Sequence, residues 1–122
     1  MGEGDNARVR YSLRPRIRIV DDAGTIVLGP GKADLLDAIA RTGSIRAAAS
    51  ELDMSYMRAW TLVKTMNAAF RSPLVEKERG GAAQGGAQLT VSGKKVLQLY
   101  RKMEQNAARA AEQSWKKMKE LL

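Results

Sequence analysis

The chain offers chemistry only through cations, hydroxyls and aromatic rings, because its 122 residues include no His and no Cys. That removes the commonest general base, the commonest metal ligand and the thiol nucleophile. No pair of carboxylates is set apart by apolar neighbours to share acid and base work. Gly29-Pro30-Gly31-Lys32 has the look of a phosphate loop, but Ile26 stands where a Gly is needed and Ala33 where a Ser or Thr would hold magnesium. Ser92-Gly93-Lys94 fails for the same reason of context. An enzyme is not expected, and no cofactor or metal is implied. What remains is recognition chemistry: 21 Lys and Arg against 13 Asp and Glu give a net charge of +8, a balance suited to a polyanionic partner.

The sharpest candidates lie between Ser55 and Phe70. At about 100° per residue, Ala59, Leu62, Val63, Met66 and Phe70 fall within one arc that must face a core. Met57, Thr61, Lys64 and Ala68 point the opposite way, with Arg58, Thr65 and Arg71 on the flanks and Trp60 at the border. The outward face is smooth, lightly basic and free of carboxylates that would repel phosphate. It fits a major groove about 12 Å wide, where Thr61 meets a base edge or a thymine methyl and Lys64 or Arg58 reaches guanine acceptors or phosphate. The same pattern also describes a plain solvated helix face in a three-helix domain. Tyr56 and Trp60, four apart, can stack on each other at the rim, and each fits a structural role as well as a contact. Ser44 and Ser55 stand at helix starts, where free amides suit a phosphate and where simple capping explains a serine equally well.

These side chains need elements to hold them. Arg14 to Leu28 predicts a hairpin: Arg16-Ile17-Arg18-Ile19 alternates, Asp21-Asp22-Ala23-Gly24 signals a turn, and Thr25-Ile26-Val27 is β-branched. Pro30 starts a helix whose Leu35, Leu36 and Ile39 recur at helical spacing, and Gly43 stops it. A second helix, Ile45 to Glu51, carries the small residues Ala47, Ala48 and Ala49 and is closed by Leu52. Asp53-Met54 breaks the chain before the third helix, so that two short helices meet across a tight turn, the helix-turn-helix unit. Beyond Pro73, Leu74 to Arg79 and Ala87 to Thr90 read as strands around a Gly-rich tip, the pattern of a wing. Lys77 and Arg79 at its base are candidates for the minor groove or the backbone, alternating with Glu76 and Glu78.

From Val91 onward the pattern is helical to about residue 120. Val96, Tyr100, Met103, Ala107, Ala110 and Ser114 fall at alternating spacings of four and three, a seam longer than one small domain can cover, so part of it is expected to meet a second copy. Residues 91–122 carry a net +5 and residues 1–20 a net +3. Residues 1–13 read as a flexible arm and 14–122 as one domain. Arg8, Arg10, Arg14, Arg16 and Arg18 suit either an arm on DNA or a hairpin edge blunted by charge. No run is long and apolar enough for a membrane span and the start is polar, so a soluble cytoplasmic protein is expected.

Thr42-Gly43-Ser44-Ile45, Ala47-Ala48, Met54-Ser55-Tyr56, Ala59-Trp60, Val63, Met66-Asn67, Leu74-Val75, Gly80-Gly81, Gly85-Gly86-Ala87, Leu89-Thr90, Gly93 and Leu99-Tyr100 together carry a resemblance. The stretch from about 14 to 110 resembles the N-terminal DNA-binding domain of molybdate-responsive ModE regulators and, more loosely, LysR-type regulators. The resemblance implies a mainly α fold with a little β: a winged helix-turn-helix with an N-terminal hairpin and a long C-terminal dimerisation helix. It further implies a homodimeric transcription regulator on a palindromic operator, with recognition helix Ser55 to Phe70 and wing Leu74 to Thr90. The tandem β-barrel modules that bind molybdate in that family do not follow before Leu122, so molybdate is not expected as a ligand. The competing reading is an interaction module that pairs through its last helix, where the charge is strongest, and touches DNA without sequence preference.

Overall fold

The computed structural model describes residues 9–77 and 86–122. Asp21 organises the first turn: its carboxylate accepts the amides of Ala23 and Thr25, both at 2.9 Å, and Gly24 adopts φ +84°. The strands so joined, β1 (Ile19–Val20) and β2 (Ile26–Leu28), pair antiparallel with an irregular register. The hairpin is shorter than the alternation predicts, and residues 14–18 belong to no strand. Ile17 is instead committed to a tertiary contact, for its carbonyl accepts the Tyr100 hydroxyl at 2.6 Å.

Three helices follow. Pro30 opens α1 (Pro30–Thr42), which ends where Gly43 takes a left-handed φ of +74° and its amide returns to the Ile39 carbonyl. Ser44 caps α2 (Ile45–Glu51) by accepting the Ala47 amide at 3.0 Å. Arg41 and Glu51 clamp the two helices across their exposed ends, Nη1 to Oε1 at 3.1 Å, and the bond holds the Glu51 carboxyl below its usual pKa. Asp53, at φ +55°, turns the chain, and Ser55 caps α3 (Tyr56–Ala69) by accepting the Arg58 amide at 3.1 Å.

Ala33, Leu35, Leu36, Ala38 and Ile39 of α1, Ala48 and Ala49 of α2, and Ala59, Val63 and Met66 of α3 form one core with Leu28, Leu74, Leu89 and Tyr100. Each buried Leu or Met stabilises it by roughly 1.5–3 kcal/mol. Ala47, which the sequence groups with its small neighbours, faces solvent. Strands β3 (Val75–Lys77) and β4 (Ala87–Leu89) pair in antiparallel register, Val75 opposite Leu89 and Lys77 opposite Ala87. Thr90 caps α4 (Val91–Lys119), a helix of 29 residues whose first half packs on α1 and β4. Of the predicted seam, Tyr100 is fully buried and Val96 half-buried, whereas Met103, Ala110 and Ser114 are exposed.

Candidate nucleic-acid interface

The face of α3 predicted to be outward is outward. Met57, at 66% exposure, and Arg58, Thr61, Lys64, Thr65 and Ala68 are all exposed, while Ala59, Val63 and Met66 are buried and Leu62 and Phe70 half-buried. No Asp or Glu lies within α3. Thr61 donates its hydroxyl to the Met57 carbonyl at 2.9 Å, which fixes the rotamer and leaves the oxygen's lone pairs to accept from outside. Ser44 and Ser55 both spend their hydroxyls as caps.

The two rim aromatics are half-buried against the core, and cations take their faces in place of the predicted mutual stacking. The Arg46 guanidinium lies 4.5 Å from the Tyr56 ring centroid and the Lys64 ammonium 4.6 Å from that of Trp60. Lys64 is therefore steered along the helix toward the wing. Trp60, Lys64 and Lys77 line one cleft of about 140 Å³ between α3 and β3, which brings three predicted site residues together. Arg58 stands apart from them on the other flank of α3. Arg79 and the wing tip lie outside the described residues.

Two residues of the interface escaped the sequence reading. Arg46 projects from α2, ten residues from the ring it covers, and no local spacing joins them. Asn67 ties the wing to the helix: its amide donates to the Val75 carbonyl at 3.0 Å, and its oxygen accepts the Leu74 and Val75 amides at 2.8 and 3.1 Å. The returning strand is pinned as well, since the Ala87 amide donates to the Gly43 carbonyl at 2.9 Å and Ser44 bridges Gly86. A wing held at both strands cannot pivot freely about α3.

Helix, tight turn, exposed cationic helix and anchored hairpin now stand in chain order, and residues 32–94 match the family model described as "Bacterial regulatory helix-turn-helix protein, lysR family". The chain belongs to this lysR family. Over 82 residues it is 44% identical to the molybdenum-pterin-binding protein MopB of Rhodobacter capsulatus, covering 67% of this chain and 30% of that protein. It is 41% identical over 71 residues to the DNA-binding transcriptional dual regulator ModE of Escherichia coli, covering 58% of this chain and 27% of that regulator. Its relatives are thus of the ModE type that the sequence resembles, and the chain spans less than a third of their length. The backbone follows that of the CbnR DBD–DNA complex with a TM-score of 0.57 at 23% identity, over 72% of this chain and 95% of that one. At that identity the likeness establishes the winged helix-turn-helix fold. Among the described residues no helix is long and apolar enough to cross a membrane.

Proposed function

We propose that the domain is a sequence-specific transcription regulator that binds duplex DNA as a homodimer, with α3 in the major groove of each half of an inverted repeat. The observation that carries this reading is the carboxylate-free outer face of α3, exposed along its length and flanked by an anchored wing. Thr61 and Met57 are the base-facing residues, Lys64 and Arg58 reach guanine acceptors or phosphate, and Lys77 and Arg46 face the backbone. Ser44 and Ser55 hold the helix starts in place beside it, and Tyr56 and Trp60 set the rim.

The second copy is brought by α4. From Met103 onward it carries Met103, Ala107, Ala110 and Met118 along one side, with Met103 and Met118 exposed, and at about 1.5 Å per residue the helix is long enough to pair lengthwise. Two recognition helices set about 34 Å apart enter successive major grooves, and neutralising roughly six phosphates per dimer gives a log–log salt slope of about −5. The protein acts where the chromosome lies, in the cytoplasm, and molybdate is not proposed as a ligand of these 122 residues.

Thr61→Ala and Lys64→Ala test the reading by fluorescence anisotropy on a selected operator and on a random duplex. Each is expected to weaken operator binding by about 1–3 kcal/mol while the dimer persists. Unchanged operator affinity in both variants contradicts the assignment of this face.

A further inference from the structure

On the side of α3 away from the wing, four cations converge on one cavity of about 240 Å³: Arg16 and Arg18 from the segment leading into β1, Lys32 from the first turn of α1, and Arg58 from α3. None of the four pairs with a carboxylate among the described residues, although Arg41 and Arg101 do. Lys32 forms the back of the cavity, its ammonium fixed on the carbonyls of Ile26 and Val27 at 2.8 and 3.3 Å, and partial burial lowers its pKa. Arg16, Arg18 and Arg58, which line the same cavity, are exposed residues. Like charges gathered at one site without counter-charge repel one another, and an incoming anion relieves that repulsion.

The cavity's place on α3 says which anion. Going round the helix at about 100° per residue, Trp60, Lys64 and Asn67 occupy the wing flank and Arg58 and Leu62 lie nearly half a turn away, with Met57, Thr61 and Ala68 between them. A helix seated in a major groove has a phosphate strand along each flank. The wing serves one of these. We propose that the Arg16–Arg18–Lys32–Arg58 cavity clamps a backbone phosphate of the other strand, so that α3 is held from both sides. This rests on the reading that α3 enters the groove. Arginine suits the task because its planar fork presents paired donors to phosphate oxygens, and the first turn of α1, which holds no acidic residue, adds free amides beside the cluster.

The test compares wild type with Arg16→Gln/Arg18→Gln and Arg16→Lys/Arg18→Lys, all with unchanged melting temperature as evidence of fold. The glutamine variant is expected to bind operator and random duplex equally more weakly, by about tenfold, and to flatten the salt slope by about 1 per protomer. The lysine variant is expected to restore the slope. Unchanged affinity and slope in the glutamine variant, with Thr61→Ala still losing operator binding, overturns the clamp and leaves the proposed function standing. Loss confined to the operator overturns it too, since a phosphate contact carries no sequence preference. Inorganic phosphate is the remaining arm: if millimolar phosphate at constant ionic strength raises the melting temperature of wild type and not of the glutamine variant, while duplex affinity and salt slope are the same in both, the cavity takes a free anion and its assignment to the duplex is wrong.

Discussion

Asn67 does the most with the fewest atoms, for one side-chain amide satisfies three backbone groups of the wing's first strand. Asn67→Ala leaves them without partners, so a destabilisation of about 1–3 kcal/mol is expected from chemical denaturation, with a larger loss of DNA affinity than the stability change alone accounts for. Asn67→Asp keeps the acceptor and is expected to fall between the two. Gly93 is a second residue whose type is dictated by its neighbours: a Cβ built there collides with the Leu74 carbonyl oxygen and lies 2.9 Å from its carbon. The helix start of α4 lies directly against the chain entering the wing. Gly93→Ala is expected to lower the melting temperature by an amount equivalent to about 1–3 kcal/mol, as overpacking does. Neither role was legible in sequence, where Asn67 and Gly93 stood out only as parts of a family pattern, because the partners of both are backbone groups whose position only the fold supplies.

At the scale of elements, α4 is joined to the N-terminal segment through Tyr100, wholly buried with its hydroxyl on the Ile17 carbonyl. Burial raises the Tyr100 pKa, with repulsion from Glu104 adding to it. A phenol whose folded-state pKa lies above its unfolded value of about 10 contributes stability that is fully present below pH 10 and is lost as pH rises through the folded value. Denaturation across pH 8–12 is therefore expected to show a steeper alkaline loss in wild type than in Tyr100→Phe, with the variant less stable at pH 8; parallel curves would contradict the link. Helix positions were the most readable part of the sequence, since each is announced by local chemistry: Pro30 and Gly43 bound α1, Ser44 and Ser55 cap α2 and α3, and apolar spacing gives the core faces. The N-terminal hairpin was read too long because the alternation of Arg16 to Ile19 is indifferent to where pairing stops, and a tertiary bond to Tyr100 decides that. The outward face of α3 was legible from angle alone, whereas the grouping of Trp60 and Lys64 with Lys77, and of Arg58 with Arg16, Arg18 and Lys32, depends on which elements flank the helix.

For the whole molecule, two surfaces divide the work: the outer face of α3 carries cations and no carboxylate, and α4 leaves Leu99, Met103 and Met118 exposed beyond the apolar residues it buries. Met103→Glu/Met118→Glu places charge on the proposed pairing face and is expected to give a monomer by sedimentation, with operator affinity falling more than 100-fold because two half-sites no longer act together. Whether the Thr61–Lys64 side of α3 reads base sequence is decided by selecting bound duplexes from random DNA with wild type and with Thr61→Ala/Lys64→Ala in parallel. Wild type is predicted to enrich an inverted repeat with half-site centres about 10 base pairs apart, and the variant to lose that enrichment. The same repeat enriched equally by both proteins, or no motif enriched by wild type, would contradict base reading by this face.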